Sequence, residues 1–158
     1  MTNRLRFHRD QRAYTLVEVA IAVIIVGLIF GMVRPAYMHY LDNARSESAA
    51  DEIKEISDSI DKFYKDNGYY PDSLEEVMSP VPLDPWGNPY QYLRIDGGAS
   101  KGKGKIRKDK NLVPINSDYD LYSAGPDGES VSPLTAKSSQ DDIVRGRNGD
   151  FIGFASDY

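Results

Sequence analysis

Residues 14–33 read YTLVEVAIAVIIVGLIFGMV, a run in which Glu18 is the one charged side chain. As a helix rising ~1.5 Å per residue, such a run covers ~30 Å, the thickness of a bilayer's hydrocarbon core. Of the chain's 19 basic and 24 acidic side chains, Arg4, Arg6, Arg9, Arg12 and Asp10 lie before the run, so residues 1–13 carry +3 and the remainder −8. Four arginines ahead of the run and one, Arg34, just behind it predict an N-terminus on the cytoplasmic side and the C-terminal bulk outside. A cleaved secretory signal has the same charge layout. Its apolar core is shorter, however, at roughly 7–15 residues, and it ends in a small-residue cleavage site. Here Met32-Val33-Arg34-Pro35 leads directly into more helix-forming sequence, so the run is expected to stay as a membrane helix. A carboxylate there costs on the order of 2–3 kcal/mol, which leaves Glu18 either wet at the interface or waiting for a positive partner such as a nearby α-amine.

Outward from the run, Leu41, Ala44, Ala49, Ile53, Ile56, Ile60, Phe63 and Tyr64 recur at three- and four-residue steps among Asp, Glu, Lys and Ser. This spacing predicts one helix over 14–67, stopped by Gly68 and Pro71 and kinked or locally melted at Pro35. The stripe is too short for a long coiled coil, so the second half is expected to pack on its own domain. Asp72-Ser73-Leu74-Glu75 has capping-box spacing and predicts a short helix to about residue 78. Turn formers fill 83–90, and strands are expected at 90–95, 118–124 and 151–155. The fold class is α+β: a long N-terminal helix packed on a small antiparallel sheet.

The chain has 158 residues, a net charge of −5, 41% hydrophobic content and no cysteine, which excludes disulfides, thiolate metal sites and a thiol nucleophile. With His8 and His39 its only histidines, no Gly-rich phosphate loop and no visible nucleophile–base pair, an enzyme is not expected. Lys101, Lys103, Lys105, Arg107, Lys108 and Lys110 lie in a Gly-rich stretch without an aromatic residue, which reads as a solvated hairpin loop rather than a nucleic-acid surface. Near the C-terminus, Asp127, Asp141 and Asp142 sit in a loop rich in Gly, Pro and Ser. A Ca²⁺ ion would relieve their repulsion, and on spacing alone a solvated acidic loop fits as well.

Ala13-Tyr14-Thr15-Leu16-Val17-Glu18-Val19 resembles the N-terminal motif of type IV pilins and type II secretion pseudopilins. Tyr14, Glu18, Gly27 and Pro35 fall where that pattern has them. The resemblance implies cleavage between Ala13 and Tyr14 by a prepilin peptidase, methylation of the new Tyr14 amine, and assembly roles for Glu18 and Pro35. Ala13 departs from the usual Gly before the cut, and Tyr14 from the commoner Phe. Asp84-Pro85-Trp86-Gly87-Asn88-Pro89-Tyr90 is similar to a signature of the major pseudopilins, which points to a structural turn that binds nothing itself. That family implies calcium in the C-terminal loop, with side chains from Asp127, Asp141 and Asp142 and further oxygens from Leu121 and Ser123. The link at 129–140 is longer and poorer in Gly than the family pattern.

The expected organisation is a cytoplasmic leader at 1–13, a transmembrane and filament-core helix at 14–34, an amphipathic helix at 35–68, and a pilin-like periplasmic domain at 69–158. By resemblance the product is a major pseudopilin subunit, anchored in the bacterial inner membrane. It would self-assemble into a periplasmic filament with minor pseudopilins and an inner-membrane assembly platform. The rival readings are a pilin of a surface pilus and a monomeric membrane-anchored calcium-binding module.

Overall fold

The computed structural model describes residues 14–96 and 104–158, without the side chains at positions 33–36 and 39. The expected leader with Ala13, and Lys101 and Lys103 of the basic loop, lie outside the described residues. The chain divides into two compact units, one up to Tyr40 and one from Leu41 to Tyr158.

Helix α1 (Leu16–Asn67) follows the predicted span and is assigned without a break through Pro35, so the local melting expected there is not found. In the first unit every residue from Tyr14 to Met32 is exposed. Among the described residues, no helix is long and apolar enough to cross a membrane. The continuous described stretch of the apolar run within α1, Leu16 to Met32, covers about 25 Å at ~1.5 Å per residue against a core of ~30 Å. The helix ends where Gly68, at φ +78°, donates its N–H to the Tyr64 carbonyl at 2.7 Å. A positive φ at this position is what Gly permits without steric cost.

In the second unit the apolar stripe works as expected at Ala49, Ile53, Ile56 and Ile60, all buried, whereas Ala44 and Tyr64 are exposed. The stripe shares one core cluster with Tyr90, with Tyr92 of β1 (Gln91–Arg94), with Tyr119 and Leu121 of β2 (Tyr119–Ser123), and with Ile143. Tyr90 also donates its hydroxyl to Glu52 Oε2 on the helix at 2.7 Å. Two further strands, β3 (Ile143–Gly146) and β4 (Phe151–Phe154), complete an antiparallel meander in the order β1-β2-β3-β4. One strand more is present than the sequence predicts. All four residues of β3 are buried, because Ile143 joins the cluster under α1 while Val144 joins a second cluster with Ile115, Leu134 and Ala155. The sheet is therefore covered on both faces, and its outer cover comes from the long loops and the C-terminal turn.

Candidate functional site

The first turn of α1 is closed by two side chains that serve each other. Glu18 N–H donates to Thr15 Oγ1 at 3.2 Å, and Glu18 Oε2 accepts from the Thr15 N–H at 3.1 Å and the Thr15 hydroxyl at 3.2 Å. This is a capping box, with an acidic group where the helix dipole favours one. Glu18 thus has a local donor set that the sequence reasoning missed. The signal was present, because Thr15-x-x-Glu18 stands directly before an apolar run. The box expected at Asp72 does not form. The segment Leu74–Glu76 is a single 3₁₀ turn whose N-cap, Ser73, makes no side-chain capping bond; Asp72 donates its N–H to Glu76 Oε2 at 3.4 Å and turns its carboxylate away to accept from Arg94 Nη1 at 3.1 Å. Tyr14 is 82% exposed, and Pro35 lies in α1 with its side chain outside the description.

The Asp84–Tyr90 turn is organised by one carboxylate. Pro85 stands second and Gly87 fourth in a turn closed by Gly87 N–H to the Asp84 carbonyl at 2.8 Å, with Gly87 at φ +93°. Asp84 Oδ1 accepts from the N–H groups of Trp86 (3.1 Å) and Asn88 (2.8 Å). Asp84 Oδ2 accepts from the Ser123 hydroxyl at 2.6 Å, and Asn88 Nδ2 donates to the Gly125 carbonyl at 3.2 Å. The turn therefore grips the end of β2 and the start of the acidic loop. Gly125, at φ +65°, lies so close to Asp141 that a Cβ would stand 2.5 Å from the Asp141 carbonyl oxygen.

The expected calcium ligands are placed as follows. Leu121 is buried within β2, and Ser123 Oγ is engaged by Asp84 Oδ2 and the Gly125 N–H. Asp127 is exposed, and its Oδ1 accepts from the Glu129 N–H at 2.8 Å. Asp141 lies beside Gly125. Asp142 is fully buried, and its Oδ2 accepts from Arg107 Nη2 and from the Ser130 hydroxyl. Burial pushes its carboxyl up to about 6, against the lowering by Ser130 and Arg107. Asp142 Oδ1 is buried without a partner among the described residues, and it is the one feature that suits a metal. Against it stands a guanidinium already bound to the other oxygen, and among the described residues no three acidic or histidine side chains converge. As placed, the carboxylates of Asp127, Asp141 and Asp142 do not come together as one cluster that could hold a metal ion.

Arg107 is what sequence reasoning placed least well, because the basic loop reads as solvated and this residue is 1% exposed. One signal was available: Arg107 is the single Arg in a run of Lys, and Arg is the residue suited to buried ion pairs.

Comparison with known proteins bears on these features. Residues 8–33 match the family model described as the prokaryotic N-terminal methylation motif. The chain is 30% identical over 142 residues to the type II secretion system core protein G of Pseudomonas aeruginosa, covering 77% of this chain and 87% of that one. It is 30% identical over 141 residues to the protein of the same name from Vibrio cholerae, covering 77% and 84%. The protein of that name from Escherichia coli K12 is 28% identical over 146 residues, covering 79% and 88%. Identity at this level over most of both chains, joined to the methylation motif at the start of α1, shows that the chain belongs to the family of type II secretion system core protein G, the major pseudopilins.

Proposed function

We propose that this chain is a structural subunit, not an enzyme, which a prepilin peptidase cuts between Ala13 and Tyr14 and which then polymerises through its N-terminal helices into a periplasmic pseudopilus for type II protein secretion. Before assembly, residues 14–34 anchor it in the inner membrane, with the leader in the cytoplasm and the remainder in the periplasm. The charge contrast of +3 against −8 across the apolar run supports that orientation. The observation that carries the proposal is the uncovered apolar surface of α1: from Leu16 to Met32 no side chain is buried, and the one charged group among them is tied to Thr15 at the first turn. At roughly 25 cal/mol per Å² of apolar area, that surface is stable only in lipid or against copies of itself.

The test combines the intact mass of the chain isolated from membranes with a pair of substitutions that separates capping from charge. The mature chain should begin at Tyr14 with a methylated amine, and a chain still starting at Met1 refutes the processing. Glu18→Gln keeps an oxygen to accept the Thr15 N–H and loses only the charge. Thr15→Val loses the hydroxyl of the cap and keeps the charge. If Glu18 neutralises the Tyr14 amine of an adjacent subunit, Glu18→Gln inserts normally but builds no filament, while Thr15→Val assembles. Normal filaments from Glu18→Gln leave Glu18 with the capping role alone.

A further inference from the structure

Arg107 stands at the centre of the contacts that order the long link between β2 and β3. Its Nη1 donates to Ser130 Oγ at 2.5 Å and to the Val131 carbonyl at 2.7 Å, and its Nη2 donates to Asp142 Oδ2. The Ser130 hydroxyl donates in turn to the same Asp142 oxygen at 2.5 Å, and the guanidinium carbon lies 4.2 Å from the centre of the Tyr122 ring. One carboxylate, one hydroxyl and one carbonyl thus surround a buried positive charge, and these are the ligand types a hard cation takes from a loop. The charge arrives from a different part of the chain. The segment carrying Arg107 is held by its own N–H to Asp120 Oδ2 at 2.7 Å, by Lys108 N–H to the Ser132 carbonyl at 3.1 Å and by Leu134 N–H to the Lys108 carbonyl at 2.9 Å. Ser139 fastens the far side of the link, its hydroxyl engaging both the N–H and the carbonyl of Val131 at 2.9 Å.

We infer that Arg107 is the resident cation of the C-terminal loop, neutralising Asp142 and ordering residues 129–142 in place of a metal ion, so that the fold is indifferent to calcium. The inference is independent of filament formation. A second, divalent charge beside the guanidinium would meet direct repulsion in a site with little water to screen it. The link itself has a use here, because Ser130, Val131 and Ser139 are the residues that wrap the side chain of Arg107 or brace its wrapping.

The experiment is thermal unfolding of the full chain in detergent micelles, followed by the emission of Trp86, in EDTA and in excess calcium. The expected result for the wild type is the same melting temperature in both. A calcium site filled at a hundred times its dissociation constant would raise it by roughly 10 °C, and a rise of that order overturns the inference. Arg107→Ala should melt far lower, and the double variant Arg107→Ala/Asp142→Asn should recover part of the loss, since a buried amide needs no counter-charge. A double variant no more stable than Arg107→Ala refutes the pairing. Should Arg107→Ala not fold, Asp142→Asn alone is decisive, because it leaves a buried guanidinium without an anion. It should melt several degrees below the wild type, and an unchanged melting temperature again overturns the inference.

Discussion

Replacing Asp84 by Ala should be among the most damaging single changes outside the apolar core. The side chain is 4% exposed and accepts three hydrogen bonds, from Trp86 N–H at 3.1 Å, Asn88 N–H at 2.8 Å and the Ser123 hydroxyl at 2.6 Å. Hydrogen bonds to a charged group contribute about 1.5–3 kcal/mol each, and relief of the buried carboxylate's desolvation offsets part of the sum. The net loss should be about 3–4 kcal/mol, a large share of a typical stability of roughly 5–15 kcal/mol. At ~4 °C per kcal/mol for a folded unit of about a hundred residues, the melting temperature should drop ~12–16 °C. Asp84→Asn is the control. Its amide oxygen still serves the two backbone N–H groups and its Nδ2 can donate to Ser123 Oγ, so the cost should be only about 1 kcal/mol. Ser123→Ala removes one of the three bonds, and a double-mutant cycle with Asp84→Ala should give a coupling of about 1–2 kcal/mol. Trp86, the single Trp, sits inside the turn and reports its loss by emission during unfolding. If Asp84→Ala costs less than about 1 kcal/mol, or if Asp84→Asn costs as much as Asp84→Ala, the carboxylate is not what holds the turn to β2.

Ile53 is fully buried beneath the sheet, so Ile53→Ala should cost about 3–4 kcal/mol in urea unfolding, whereas the exposed neighbour Lys54→Ala should stay within ~0.5 kcal/mol. Gly125→Ala and Gly87→Ala separate backbone strain from contact. Both residues have positive φ, but a Cβ meets nothing within 4 Å at Gly87 and stands 2.5 Å from the Asp141 carbonyl oxygen at Gly125. By melting temperature, Gly87→Ala should lose about 1 kcal/mol and Gly125→Ala at least ~2 kcal/mol, and equal losses would mean that the loop gives way without cost.

The features legible in the sequence depend on near neighbours. The span of α1, its stop at Gly68, the buried positions Ala49, Ile53, Ile56 and Ile60, the Asp84–Tyr90 turn and three of the four strands, β1, β2 and β4, all follow from spacings of two to four residues. The Thr15–Glu18 box was legible by the same rule. Strand β3 was not. Ile143 and Val144 point into different clusters and both are buried, so alternation of apolar and polar residues is absent. Arg145 in the same strand reads as a surface residue, yet its guanidinium lies 3.9 Å over the Tyr119 ring and pairs with Asp118 at 2.7 Å.

The acidic loop shows the same division most clearly. Its carboxylates and turn formers are plain in the sequence, and so is its likeness to a calcium-binding pattern. What faces Asp142 is decided by a residue 35 positions earlier, in a stretch whose composition reads as solvated. Local sequence determines which backbone conformations are cheap, and thereby the long helix, its caps and the Pro-fixed turn. Which charge enters the interior depends on the partner waiting there, because burying a guanidinium is tolerable only beside an anion and oxygens already fixed by the sheet. That arrangement exists only once β2, β3 and the two long loops have come together.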